Sequence, residues 1–192
     1  MIRVVIVDDH HAVRLGLQTA LAAEPGLIPV GTAATAAELP PLLYRVDPDV
    51  ILLDYQLPDD DGLTVCRRVK SSTPAPRVIL YSAFADASMT VPAIVAGADG
   101  LVHKGVRPQE LFEAIRAVAA GGVVLPLVSQ PLLEAAGLQL DTDDLPILGM
   151  LLDRTPTGDI ATTLGIDDAH LKRRVRRMLA RLKVPFARQR HM

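Results

Sequence analysis

The chain has 192 residues, a length that fits one large domain or two small ones. Apolar residues make up 49% of it, but aromatic residues are only 3% and tryptophan is absent, so its cores must consist of aliphatic side chains. The longest apolar runs are of strand length, which excludes a membrane-spanning helix, and the N-terminus carries no signal-peptide pattern. A single cysteine, Cys66, excludes an internal disulfide framework and fits a reducing cytoplasm, where we expect it to be a packed apolar side chain.

The net charge of −2 hides an uneven distribution. Residues 165–192 contain nine basic and two acidic side chains, a net charge of +7, and the remainder of the chain carries −9. An acidic body joined to a basic tail indicates two domains with different partners.

The first 120 residues alternate short β-branched runs with amphipathic stretches. The runs fall at 2–7, 28–31, 49–53, 77–81 and 100–103. The amphipathic stretches fall at about 11–23, 35–46, 61–71, 86–96 and 108–119. This alternation predicts βαβ units and a parallel sheet with helices on both faces. Pro92 lies inside the fourth stretch, where we expect it to remove one hydrogen bond and kink the helix.

The remainder of the chain lacks this alternation of strands and helices. Residues 121–139 are predicted to be a linker, because they contain Pro126 and Pro131 and only a short apolar segment at 132–136. From residue 140 onward no strand is predicted and three helical stretches follow. We therefore divide the chain into a domain at 1–120, a linker at 121–139 and a helical domain at 140–192.

Polar side chains stand where four of the predicted strands end: Asp8 and Asp9, Asp54, Ser82 and Lys104. Ligands of an open parallel sheet collect outside the carboxyl ends of its strands, so we expect these side chains to share one cleft. The carboxylates would hold Mg²⁺, and the hydroxyl and the ammonium would contact a phosphoryl group. A carboxylate can itself carry such a group as an acyl phosphate. The pattern indicates a signalling switch rather than a metabolic enzyme.

The order and spacing of these residues, with Pro58 and Gly62 after Asp54, resemble the receiver domain of bacterial response regulators. The resemblance covers about residues 1–120. It implies a flavodoxin-like, doubly wound sheet of five parallel strands in the order 2-1-3-4-5. It also implies that Asp54 is the phosphoacceptor and that Ser82 and Lys104 contact the phosphate.

The same resemblance implies a metal site. Mg²⁺ would be bound by Asp9, Asp54 and the backbone carbonyl of Gln56, with Asp8 acting through water. The chain departs from the family at Leu101, where an aromatic residue that moves with the serine or threonine usually stands.

Other charged residues near this site have simpler interpretations. Residues 59–61, three consecutive aspartates, are expected to form a solvated loop in which Asp60 or Asp61 caps the next helix. His10 and His11 are expected to be exposed at a helix start, with a metal role left open for either.

The basic tail contains a predicted helix–turn–helix. The first helix ends at Gly165, and Asp167 or Asp168 caps a second that reaches about Lys183. An apolar stripe on the second helix is assigned to the core and consists of Leu171, Val175, Met178, Leu179 and Leu182. A cationic helix after such a turn is typical of recognition in the DNA major groove.

The segments at 160–161, 164–166 and 181–182 resemble the LuxR-type helix-turn-helix of NarL/FixJ-class response regulators. The resemblance implies that six residues face double-stranded DNA: Ala169, His170, Lys172, Arg173, Arg174 and Arg176. The last helix of that family has no room after Pro185. This leaves either a weaker dimer or a dimer formed through other contacts.

We therefore predict a non-enzymatic, cytoplasmic two-component regulator. A sensor histidine kinase would phosphorylate Asp54 with Mg²⁺ and so control DNA binding, with a homodimer at least in the activated state. Two alternatives keep the fold: an atypical regulator whose DNA binding ignores phosphorylation, and a protein-interaction module with a degenerate tail. A phosphatase of the haloacid dehalogenase type is disfavoured, because Gln56 stands where its general-acid aspartate is needed.

Overall fold

Five parallel strands form one sheet in a computed structural model that describes residues 1–182. The strands are β1 (Ile2–Val7), β2 (Leu27–Ala33), β3 (Val50–Leu53), β4 (Arg77–Ser82) and β5 (Gly100–His103). Their order, β2-β1-β3-β4-β5, confirms the sequence prediction. The register pairs Val7 with Leu53 and Leu53 with Leu80, so the carboxyl ends of β1, β3 and β4 lie level at one edge.

Helices cover both faces of this sheet. Along residues 1–120 they are α1 (His11–Ala23), α2 (Leu39–Val46), α3 (Gly62–Lys70), α4 (Thr90–Ala96) and α5 (Pro108–Ala119). Alternate strand residues enter different cores: Val4 and Ile6 pack in the layer with α1 and α5, and Val5 and Val7 pack in the layer with α2, α3 and α4. The strands are almost wholly apolar because both of their faces are covered.

Every residue of α4 is buried, and none of its side chains is charged. A 3₁₀ turn at Ala87–Met89 precedes the helix, which begins at Thr90. Pro92 therefore lies in the first turn, where its missing N–H has no helical acceptor. The expected loss of a hydrogen bond at Pro92 was wrong, because the helix begins later than the amphipathic pattern indicated.

The predicted linker contains regular structure. Val124 pairs with β5 on its outer side: its N–H donates to the carbonyl of Asp99 at 2.9 Å, and its carbonyl accepts from the N–H of Leu101 at 2.8 Å. A helix, α6 (Gln130–Gln139), follows. Pro131 had suggested a break in the chain, but it lies in the first turn of α6, where proline is tolerated.

The rest of the described chain forms α7 (Leu145–Leu152), α8 (Thr157–Leu164) and α9 (Asp168–Leu182). Gly165, at a φ of 63°, ends α8 in the left-handed conformation that glycine favours. Asp167 caps α9 by accepting from the N–H of His170 at 2.6 Å. The predicted apolar stripe of α9 is buried. The predictions about Lys183 and about the end of the chain after Pro185 lie outside the described residues.

The helical part packs directly on the sheet part. Helix α4 contacts α6, α7 and α9 on the side away from the sheet, and apolar residues from both parts form one continuous core cluster. A guanidinium nitrogen of Arg154 also donates to the carbonyl of Ala98 at 3.0 Å. Within residues 1–182, no helix is both long and apolar enough to cross a lipid bilayer.

Candidate functional site

Four of the predicted site residues lie at one edge of the sheet. Asp8 follows β1, Asp54 follows β3, Ser82 ends β4 and Lys104 follows β5. Because β1, β3, β4 and β5 are adjacent in the sheet, residues up to 96 positions apart in the chain become neighbours. Asp8, Asp54 and Ser82 are buried, with 1%, 4% and 0% of their surface exposed.

Lys104 joins the two buried carboxylates. Its Nζ lies 2.8 Å from Oδ2 of Asp54 and 2.6 Å from Oδ2 of Asp8. Asp9, which is exposed, adds a third carboxylate to the same cluster. Three acids against one ammonium leave the pocket with an excess of negative charge, which favours a bound cation.

The burial of this pocket changes the ionisation of its groups. Burial raises the pKa of the Asp54 carboxyl above its ordinary value, although the hydrogen bond and the charge of Lys104 act in the opposite direction. Burial alone would lower the pKa of Lys104, but its contacts with Asp54 and Asp8 raise it. Lys104 is therefore held as a cation in contact with the carboxylate that we predict to be the phosphoacceptor.

Backbone groups fix the acids in place. The N–H of Gln56 donates to the Asp54 carboxylate, and the N–H of His10 donates to Oδ1 of Asp8 at 2.8 Å. The Ser82 hydroxyl oxygen accepts from the N–H of Phe84 at 3.1 Å, which leaves its proton free to be donated elsewhere. These contacts orient side chains that follow or end three strands of the sheet.

Gly62 is required by a close approach of two backbone segments. A Cβ atom at this position would lie 2.4 Å from the carbonyl oxygen of Asp54 and 2.7 Å from the Cα of Tyr55. Only glycine allows the start of α3 to lie against the strand end that carries Asp54. Gly62 is part of the resemblance to receiver domains, and this close approach is the physical reason for a glycine at that position.

The three aspartates at 59–61 each have a structural partner, so the solvated-loop interpretation was incomplete. Asp59 accepts from two backbone N–H groups near the start of α2, at 2.8 and 2.9 Å, and Asp60 pairs with Arg68 at 3.0 Å. Asp61 caps α3 by accepting from the N–H of Thr64, as predicted for Asp60 or Asp61. The loop is thereby tied to the neighbouring helices.

The acidic cluster could hold a metal ion. Ligand atoms of Asp8, Asp9, His10 and Asp54 lie within 4.8 Å of one another. Carboxylate oxygens suit Mg²⁺, whereas an imidazole nitrogen suits softer metals. His10 Nδ1 instead lies 2.6 Å from Oδ1 of Asp9, so His10 is exposed as expected but also contacts an acid. The three carboxylates fit Mg²⁺ in the chemistry of their donors.

The C-terminal helices present a second candidate site, a cationic surface on α9. A shallow depression on this surface is lined by His170, Arg173, Arg174, Arg176 and Arg177. Of the six residues predicted to face DNA, Ala169, His170, Lys172, Arg173 and Arg176 are exposed. Cationic side chains in such a position supply salt-dependent affinity for DNA phosphates.

Arg174, the sixth predicted residue, is held inside the domain. Its Nε lies 2.6 Å from Oδ1 of Asp144, a side chain that is 2% exposed, and it also donates to the carbonyl of Asp143. Arg174 itself is 13% exposed and is not available to DNA in this conformation. No local pattern predicts this pairing, because Asp144 lies 30 positions from Arg174 in the chain.

A five-stranded sheet in this order with an acidic pocket and a lysine at its carboxyl edge, followed by a helix–turn–helix, defines the class of response regulators. Residues 4–116 match the family model described as the response regulator receiver domain, and the chain belongs to that family. It is 33% identical to the transcriptional activator DevR/DosR of Mycobacterium tuberculosis, over 95% of this chain and 88% of that protein. It is 29% identical to the nitrate/nitrite response regulator NarL of Escherichia coli, over 94% of this chain and 89% of that protein.

A solved structure supports the same assignment. A LuxR-family two-component response regulator from Aurantimonas sp. SI85-9A1 is 32% identical, with a TM-score of 0.63, over 70% of this chain and 97% of that one. The chain is therefore a response regulator related to DNA-binding transcription regulators.

Proposed function

We propose that the protein is a cytoplasmic transcription regulator in which Asp54 accepts a phosphoryl group from a sensor histidine kinase. The observation that carries this proposal is the position of Lys104, whose Nζ lies 2.8 Å from the Asp54 carboxylate. A cation held there can neutralise a phosphoryl oxygen without a large movement. Its membership of the response regulator family supports the same assignment.

A divalent cation belongs to this proposal. Asp9, Asp54 and the backbone carbonyl of Gln56 would bind Mg²⁺, with Asp8 acting through water. Bound there, Mg²⁺ would supply the positive charge that an anionic phosphoryl group needs in an acidic pocket.

The residues of the chain then have distinct roles in the transfer. A carboxylate oxygen of Asp54 forms a bond to phosphorus while the bond from phosphorus to the histidine nitrogen of the donor breaks, which gives an acyl phosphate. Lys104 keeps its proton and moves its contact from the carboxylate to a phosphoryl oxygen. The Ser82 hydroxyl donates to a second phosphoryl oxygen. No side chain of the pocket has to accept a proton in this step.

The output of the switch would be DNA binding by α9. In the arrangement described here α9 packs on α4, and Lys172 and Arg176 turn towards α3. We expect the phosphorylated protein to favour an arrangement in which α9 leaves α4. Two copies would then form a homodimer and place Ala169, His170 and the exposed arginines on two half-sites of double-stranded DNA.

Fluorescence anisotropy of a labelled pool of genomic duplexes would test this function. The protein is titrated with Mg²⁺, with and without beryllium fluoride, which mimics a phosphoryl group on a carboxylate. We expect tighter binding with the mimic in the native protein and no response in Asp54→Ala. Glu113→Ala, which removes an exposed acid on α5, is the matched control and should respond like the native protein.

One observation favours the atypical regulator as a second candidate. Leu101 is 6% exposed and packs in the core beside α4, at the position where the family usually has a mobile aromatic side chain. A switch without that side chain would have to transmit its signal by repacking of leucine. DNA affinity that is unchanged by beryllium fluoride would support this candidate. A flat titration against every duplex at low salt would instead support an interaction module.

A further inference from the structure

A cleft lies between α3 of the receiver domain and α9 of the helix-turn-helix. Its volume is about 660 Å³, within the range of roughly 300–1,000 Å³ that is usual for small-molecule sites. Thr64, Ser71 and three charged residues line the cleft on and beside α3, and Lys172, Arg176, Leu179 and Ala180 line it on α9. The cleft is distinct from the acidic pocket, none of whose residues lines it.

The charge of this cleft is strongly positive. Arg67 and Arg68 from α3 face Lys172 and Arg176 from α9, and Asp60 is the one acid among the described lining residues. These residues carry a net charge of +3. Asp60 pairs with Arg68 at 3.0 Å, and no acid within residues 1–182 forms an ion pair with the other three cations.

Arg67 is the clearest sign that a ligand belongs in the cleft. Its side chain is half-buried, and burial lowers its pKa because no acid lies close enough to stabilise the charge. Among the described residues its guanidinium has neither a hydrogen-bond acceptor nor an ion-pair partner. A half-buried guanidinium in that state is unfavourable, and an anion in the cleft would relieve the cost.

We propose that this cleft binds a small polyphosphate, either free or as part of a nucleotide. Three separate cations, Arg67, Lys172 and Arg176, call for a ligand with several anionic oxygens, and guanidinium groups match phosphate geometry well. Leu179 and Ala180 offer an apolar wall for a part of the ligand that carries no charge. A duplex is too wide for a cleft that α3 closes on one side.

The bound anion would join the two domains. Lys172 and Arg176 are also among the residues that we predict to contact DNA, so a ligand held between them and Arg67 would compete with DNA. This consequence rests on the proposed function. The binding of the anion does not, because it needs neither phosphorylation nor DNA.

Isothermal titration calorimetry with sodium tripolyphosphate, at low salt and without Mg²⁺, tests the binding itself. Arg67→Gln and Lys172→Gln should each weaken binding about tenfold, the usual effect of losing one charge-assisted hydrogen bond. Arg173→Gln is the matched control, because this arginine lies next to Lys172 on α9 but outside the cleft. The affinity of Arg173→Gln for tripolyphosphate should stay within about twofold of the native value. Unchanged melting curves would confirm that the variants fold.

Equal weakening in Arg67→Gln and Arg173→Gln, or no measurable heat with the native protein, would overturn the proposal in favour of diffuse attraction to a basic surface. Tighter binding of adenosine triphosphate than of tripolyphosphate would assign a nucleotide, and equal or weaker binding would assign the polyphosphate alone. In a parallel anisotropy assay, tripolyphosphate should displace DNA from the native protein but less effectively from Arg67→Gln. If calorimetry succeeds and DNA binds nowhere, the cleft proposal stands and the proposed function fails.

Discussion

Asp144→Ala should destabilise the protein far more than Asp141→Ala, although each change removes an acid that lies 2.6 Å from an arginine of α9. The Asp144–Arg174 pair is 2% and 13% exposed, and the Asp141–Arg181 pair is 51% and 43% exposed. Removing one partner of a buried pair costs about 3–5 kcal/mol, because the other charge stays desolvated. Each kcal/mol lowers the melting temperature of a chain of this size by about 2–4 °C, so we expect a fall of about 6–20 °C for Asp144→Ala. The exposed pair should contribute almost nothing.

Thermal and urea denaturation followed by far-ultraviolet circular dichroism would measure both variants. The double substitution Asp144→Leu with Arg174→Met removes both charges and should recover most of the loss, since apolar side chains of similar volume can replace a buried pair. If Asp144→Ala melts like Asp141→Ala, the Arg174 guanidinium is solvated. It is then free to contact DNA, and our description of it as a structural residue is refuted.

Three further predictions concern other parts of the fold. Asp99→Asn leaves Lys70 and Arg77 without their shared carboxylate and should lower the free energy of unfolding by about 3 kcal/mol in a urea titration; a change near zero would contradict the pairing. Burial raises the pKa of the Cys66 thiol to about 12, so iodoacetamide at pH 8 should label Cys66 only after denaturant is added, as read by mass spectrometry. Burial also raises the pKa of Asp54, so the folded state favours the protonated carboxyl. At pH 7 the ionised Asp54 therefore lowers the free energy of unfolding. Asp54→Asn should therefore melt above the native protein at pH 7 without Mg²⁺, with the difference vanishing below the ordinary carboxyl value of 3.8; a constant difference would contradict this cause.

The pocket at the strand ends was predictable because parallel strands bring their carboxyl ends to one edge, whatever their separation in the chain. Asp54 and Lys104 lie 50 positions apart, yet both follow apolar runs, and this alone placed them together. The cap at Asp61 and the left-handed Gly165 were predictable for a different reason, since both depend on local backbone geometry. The Asp61 cap and Gly165 can be predicted from the sequence within one or two helical turns, and the pocket can be predicted from the topology of a parallel sheet.

Contacts between the two parts of the chain were not predictable in the same way. The segment Thr90–Ala96 contains no charge, but the pattern over 86–96 predicted an amphipathic helix, and nothing in it specified that α6, α7 and α9 would cover its outer face. The ion pair of Arg174 with Asp144 likewise depends on how α9 packs on the turn before α7. The helix α6 was missed because Pro131 resembles a breaker unless the helix start is known.

The apolar character of α4 has a consequence for any attempt to divide the protein. A fragment that ends near residue 120 would leave one side of α4 in water, with valine, isoleucine and alanine side chains that the full chain keeps buried. Such a fragment should self-associate or precipitate, whereas the full chain should melt in one cooperative transition. In the arrangement described here, the boundary between the two predicted domains runs through the core beside α4 rather than along the linker.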